Sequence, residues 1–218
     1  MGTKTGQFGD YLKNKIVKGK GKPFTHTRIG DKESKIFGGL YNIPDEEYNL
    51  FMDKYYNNVF EKGNMEYLTE KQLIDNGPIM IDIDLRYETT VEERKHTSDH
   101  VLDLVMLYAD KLTEIINIPE DTHIDVFAME KKDINKLETK TKDGIHIIFG
   151  ISLHKAGQVL LREKILEELP SLWEDLPITN SWDDVVDEGI VKGFVNWQLY
   201  GSRKPNNQQY LVKYHYTL

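Results

Sequence analysis

The chain has 218 residues and a mass of 25.4 kDa, enough for one large domain or two small lobes that close a core without staples. With 39% hydrophobic and 29% charged residues it is too apolar for disorder, and no apolar run approaches the ~20 residues of a membrane span. It has no cysteine, which removes disulfides, zinc sites made from Cys, iron–sulfur clusters and a cysteine nucleophile; its net charge of −8 conceals basic ends, +6 over residues 1–35 and +4 over residues 189–218 against −18 between them.

Residues 1–23 are polar and rich in Lys and Gly, which predicts a solvated, basic, flexible arm. Met1 to Asp10 contains no apolar signal core, which argues against secretion. Gly19-Lys20-Gly21-Lys22 lacks the spacing of a P-loop, and no Walker A motif occurs anywhere, so an ATP-driven motor is excluded. An N-terminal α/β unit is expected over about 24–75. In it Asp45 is placed to cap a helix whose Tyr48, Phe51, Met52, Tyr55, Val59 and Phe60 recur at three- and four-residue steps until Gly63.

From about residue 76 to 218 the pattern predicts a second unit. Residues 79–85 alternate as a strand, and a helix follows Ser98 with Val101, Leu104, Val105, Tyr108, Leu112, Ile115 and Ile116 on one face. Residues 123–129 and 145–151 read as strands, Ala156 to Leu169 as a helix stopped by Pro170, and Val195–Tyr200 and Tyr210–Tyr214 as two more strands. Strand, helix, strand, strand, helix, strand is a ferredoxin-like or RRM-like order, so the expected fold class is α+β.

Four features carry chemistry. In Ile79-Met80-Ile81-Asp82-Ile83-Asp84-Leu85-Arg86 the period of two buries the aliphatic side chains and projects Asp82, Asp84 and Arg86 from the other face. Two such carboxylates repel, and a divalent cation resolves the conflict. Oxygen ligands without cysteine favour Mg²⁺ or Mn²⁺, although an amphipathic strand with two solvated acids satisfies the same pattern. In Lys142-Asp143-Gly144-Ile145-His146 the imidazole faces away from the apolar residues, as a phosphate contact or a structural hydrogen-bonding group. Val185-Val186-Asp187 is an apolar pair leading into an acid. Tyr200-Gly201-Ser202-Arg203-Lys204-Pro205 offers backbone N–H groups, a hydroxyl and two cations in a turn, suited to a triphosphate or simply to solvent.

Taken in this order, the four resemble the archaeo-eukaryotic primase (AEP) superfamily, in the version found as the N-terminal primase domain of primase-helicases in large DNA viruses. The family pattern is an apolar run ending in Asp-x-Asp, a small residue-x-His strand and an apolar-Asp third motif, matched by Ile79–Asp84, Gly144–His146 and Val186-Asp187. Phe24-Thr25-His26-Thr27-Arg28 and Val195–Pro205 extend the likeness over residues 24–214. The resemblance implies an RRM-like catalytic core and a DNA-dependent primase or primase-polymerase, a nucleotidyltransferase that makes primers during viral DNA replication. Asp82, Asp84 and Asp187 would hold two divalent ions, with Asp183 and Asp184 as nearby rivals for the third place. His146 would contact the incoming nucleoside triphosphate, helped by Ser202, Arg203, Lys204 and Arg86. Implied partners are single-stranded DNA template along the basic ends, ribo- or deoxyribonucleoside triphosphates, and a helicase, C-terminal on the same polypeptide or separate; no membrane is expected, and the implied location is intracellular, at replication sites. The strand-like residues Tyr210–Leu218 end without a polar tail, as a piece of a longer polypeptide would.

Rival readings remain. Asp125 with Glu130-Lys131-Lys132 loosely imitates a metal-dependent nuclease, a glycosyltransferase could use Asp-x-Asp, and an RRM-like sheet could bind single strands passively. The acids on the sheet's polar face count against the passive binder, because they repel phosphate unless metal is present.

Overall fold

A computed structural model of the chain describes residues 7–73 and 75–218. Residues 1–6, the start of the expected arm, lie outside these. The chain forms two compact units, one of residues 1–72 with 196–209 and one of residues 73–195 with 210–218.

The first unit is built on helices α1 (Gln7–Asn14) and α2 (Tyr48–Tyr56) and a four-stranded antiparallel sheet. The strands are β1 (His26–Arg28), β2 (Gly39–Tyr41), β3 (Leu68–Glu70) and, from late in the chain, β8 (Trp197–Gln198), in the order β2-β1-β3-β8. Helix α1 falls within the stretch whose composition reads as an arm. Its Phe8 and Leu12, four residues apart, are buried against Phe51, Tyr55 and Tyr41. The residues after Asp45 form one 3₁₀ turn, Asp45–Glu47, with Pro44 in the cap position. Helix α2 then widens into a π turn over Asn57–Glu61, and Gly63 turns the chain out at φ +66°. Val195–Tyr200 yields only the two-residue β8, which pairs with β3 (Thr69 opposite Gln198) and so belongs to this unit.

The second unit follows the expected element order: β4 (Asn76–Tyr87), α3 (Ser98–Thr113), β5 (Asp125–Glu130), a short β6 (Asn135–Lys136), β7 (Thr141–His154), α4 (Lys155–Leu172), the one-turn helices α5 (Trp182–Val185) and α6 (Glu188–Val191), and β9 (Leu211–Thr217). The fold class is α+β. The antiparallel sheet runs β4-β7-β5-β9, with β6 on β7. Its last strand therefore lies on β5, whereas a ferredoxin-like sheet sets the last strand beside the first. Ile79, Ile81, Ile83, Leu85 and Tyr87 of β4 and Ile145, Ile147 and Phe149 of β7 are buried on one face under α3 and α4. Thr97 caps α3 by accepting from the His100 N–H (3.5 Å), and the His100 ring returns the contact. Pro170 does not stop α4. It sits in the last turn, where a missing N–H costs one bond, and the turn is held by buried Leu169 and Trp173, whose indole N–H donates to the His100 carbonyl (3.2 Å). Among the described residues no helix is long and apolar enough to cross a membrane.

Candidate active site

The register of β4 on β7 places Asp82 opposite His146 and Asp84 opposite Gly144, on the sheet face away from the helices. His146 Nε2 lies 3.4 Å from Asp82 Oδ1. Asp84 is held by two cations: Arg86 through Nε (3.1 Å) and Nη2 (3.0 Å), and Lys142 through Nζ (2.9 Å). Arg86 also reaches Asp184 at 3.5 Å.

Because β9 is on the far edge, the open edge of β4 receives the segment Thr179–Asp187. Thr179 N–H donates to the Arg86 carbonyl (2.8 Å), and the Asn180 amide donates to the Asp84 carbonyl (2.9 Å) while its oxygen accepts from Arg86 N–H (3.0 Å). Val186 bridges Ile83, and Asp187 N–H donates to the Asp82 carbonyl at 3.0 Å. From behind, buried Arg162 of α4 donates to the carbonyls of Val186 and Asp183, each at 2.9 Å. The third acid is therefore fixed by backbone bonds to the strand that carries the first two. Asp183 is 81% exposed and turned to Arg162, so of the three nearby acids Asp187 has the closest tie to Asp82. Its own Oδ1 caps α6 through Ile190 N–H (3.1 Å). A cleft of about 380 Å³ opens here, lined by Asp84, Arg86, Asp184 and Asp187 among others.

Tyr210, just before β9, is the residue that sequence patterning misses. Its ring stacks on His146 (centroids 3.6 Å, 14°), and Lys131 Nζ sits 4.8 Å from the ring centre. Its hydroxyl occupies the space that a side chain at position 144 would need: a Cβ on Gly144 would lie 2.7 Å from that oxygen and 2.8 Å from the Ile83 carbonyl. The small residue two places before the histidine is thus required by packing. Burial, then the charges of Asp82, Asp84 and Asp143, push the Tyr210 phenol well above its ordinary pKa, so it stays a neutral donor.

Beneath the site, Arg94 grips buried Asp143 through two nitrogens (2.8 and 3.1 Å), bonds Glu130 and donates to the Lys131 carbonyl (2.8 Å), while His96 bonds Glu130 at 2.9 Å. This network spends Glu130 on structure, and Asp125, at the other end of β5, pairs with His215 (2.8 Å). The nuclease-like pattern does not assemble.

Of the remaining residues singled out, Ser202, Arg203 and Lys204 belong to the first unit. Ser202 is buried there, its hydroxyl bonded to Tyr55 (2.8 Å) and to Leu68 N–H (3.2 Å); Arg203 N–H donates to the Glu66 carbonyl (3.0 Å), and Lys204 is exposed.

Metal chemistry can be tested on this geometry. Among the described residues no three His, Asp or Glu side chains converge closely enough to hold an ion. The donor type nevertheless fits: carboxylates on one strand face, a third joined to them through its backbone, and two cations gathered where a divalent ion would balance the same charge.

Comparison with known proteins decides the family. A family model described as the C962R protein N-terminal AEP domain matches residues 30–216. The chain belongs to the AEP family. The chain is also 28% identical over 193 residues to "Putative helicase L207/L206" of Acanthamoeba polyphaga mimivirus. That match takes in 87% of this chain and 19% of the relative, so the AEP domain spans about a fifth of that protein's length. The AEP domain is of the primase-type nucleotidyltransferase family.

Proposed function

We propose that this AEP domain is a DNA-dependent primase or primase-polymerase, joining nucleotides into primers on a single-stranded template inside the cell during viral DNA replication. The observation that carries this is the register of β4 on β7, which sets Asp82, Asp84 and His146 on one face while Asp187 is bonded to the Asp82 backbone. Asp82, Asp84 and Asp187 would hold Mg²⁺ or Mn²⁺, which when bound supplies the charge that activates a 3′-hydroxyl and stabilises departing pyrophosphate. The chain's own groups do the positioning. Arg86 and Lys142 neutralise Asp84 until substrate enters, and Arg86 can then turn to a phosphate. His146, oriented by the Tyr210 ring, donates to the triphosphate. Within the first unit, the buried Ser202 hydroxyl supports the turn that carries Arg203 and Lys204. The helicase name of the mimivirus relative, and its greater length, support a helicase partner, on the same polypeptide or separate.

The test is incubation with single-stranded DNA, Mg²⁺ or Mn²⁺ and labelled nucleotides without primer. New oligonucleotides that vanish in Asp82→Asn support the reading. Template degradation without nucleotides, or no product under any metal, overturns it.

A further inference from the structure

In the first unit three aromatic rings form an exposed ladder. Tyr56 and Phe60 stack at 5.5 Å and 29°, Phe60 and Tyr200 at 5.5 Å and 20°. They are 52%, 38% and 42% exposed. The ladder joins the end of α2, the π turn and the turn after β8, and it is held rigidly. Tyr55 hydroxyl donates to the Tyr200 carbonyl (2.7 Å), Ser202 hydroxyl donates to Tyr55 oxygen (2.8 Å), and Leu68 N–H donates to Ser202 (3.2 Å). Gly201, at φ +84°, lets the backbone approach Phe60: a Cβ there would lie 2.6 Å from the ring. A hollow of about 320 Å³ opens beside it, walled by Met52, Leu199 and the rings.

Charge separates possible occupants. Arg203 and Lys204 follow Tyr200-Gly201-Ser202 directly. The first unit carries fourteen Lys/Arg against ten Asp/Glu, a net of +4, while the rest of the chain carries −12 of the total −8. The acid Glu61 lies close enough to Tyr56 to raise the pKa of its phenol. Parallel rings beside cations suit an unpaired base, whose face stacks on a ring while its phosphate meets a cation. An apolar peptide would use the hollow but not the charge.

We propose that Tyr56, Phe60 and Tyr200 are a stacking platform for unpaired bases of single-stranded DNA, with Arg203 and Lys204 on the adjoining phosphates. The identity of that strand as template rests on the primase reading; the binding does not. The platform is tested with the full chain and a fluorescent oligo(dT), without metal or nucleotides. Tyr56→Ala and Tyr200→Ala should each weaken binding roughly 5- to 100-fold, Tyr200→Phe should bind nearly as the parent, and Arg203→Ala and Lys204→Ala should each reduce the slope of log K against log salt by about 0.7. Photo-crosslinking of 5-iodouracil oligonucleotides should label Tyr56 or Tyr200, which decides the matter even if an alanine variant fails to fold. Affinity unchanged within twofold in a folded Tyr56→Ala protein, crosslinks only elsewhere, or loss of self-association in place of loss of DNA binding overturns the platform. Asp82→Asn should bind the oligonucleotide normally, so failure of the primase reading and failure of the platform are seen separately.

Discussion

Asp82 and Asp84 stand two residues apart on one strand, yet their surroundings differ. Asp84 is neutralised by Arg86 and Lys142, whereas Asp82 faces His146. Asp82→Asn and Asp84→Asn should each reduce primer synthesis by orders of magnitude, measured as labelled product per unit time. Their stabilities should diverge: Asp84→Asn gives up two half-exposed ion pairs and should cost up to about 1 kcal/mol in urea unfolding, a loss that simple relief of carboxylate repulsion does not anticipate. Tyr210→Ala should raise KM for nucleotide while leaving the fold intact, and Tyr210→Phe, which keeps the ring on His146, should restore most of it. An unchanged KM in Tyr210→Ala would remove the tyrosine from the site. The shared face of the two aspartates was legible from alternation alone, because the period of two in Ile79–Leu85 admits one arrangement. Lys142 and Tyr210 were not, since what places them is pairing across strands and a stack formed by a residue 64 positions after His146, neither of which leaves a local pattern.

At the scale of elements, β7 is confined from both sides. Gly144 leaves no space toward Tyr210 and the Ile83 carbonyl, so Gly144→Ala should destabilise by about 1–3 kcal/mol and impair synthesis together, read from thermal unfolding and product yield. Asp143, the preceding residue, points to the opposite side and into the grip of Arg94, which also serves Glu130. Arg94→Ala would strand two buried carboxylates and should cost about 3–5 kcal/mol; a loss below 1 kcal/mol would show that water reaches them. The helical stripe of α3 could be read from periodicity because it is one continuous apolar face, whereas the buried face of α4 also carries Gln158 and Arg162. Two elements were obscured by stronger local signals. The Phe8, Tyr11 and Leu12 stripe of α1 sits among lysines that read as a solvated arm, and Pro170 reads as a stop although α4 runs two residues past it, held by the buried Leu169 and Trp173. Val186-Asp187 was legible as a motif but its place beside β4 was not, because Thr179–Asp187 forms no continuous ladder, only scattered bonds to a strand edge.

For the whole molecule, acid should act on the first unit through His26. Burial lowers its pKa from 6.5 to about 4, and Glu70, 3.5 Å away, offsets little because burial raises its own pKa. The unfolded chain takes up this proton first, so the contribution is complete above pH 6.5 and is lost as pH falls toward 4, by up to about 3 kcal/mol. Melting of the parent at pH 7 and pH 5 should show the loss, and His26→Gln should flatten it; an equal fall in both proteins would place the effect elsewhere. The two-unit division has a bearing on synthesis. The chain leaves the first unit after residue 72, returns to it at 196 and departs again after 209. On a ribosome adding about 5–20 residues per second, β3 therefore waits on the order of 10 s for β8, and the Tyr55 hydroxyl waits as long for Ser202. During that interval the nascent first unit lacks Leu199 from its core, while β4, β5 and β7 have all emerged and can pair. Nascent chains halted near residue 190 should thus be cut readily by protease within residues 7–72 and resist it within β4–β7, and the late arrival of fourteen residues is the event that makes the first unit a folded body.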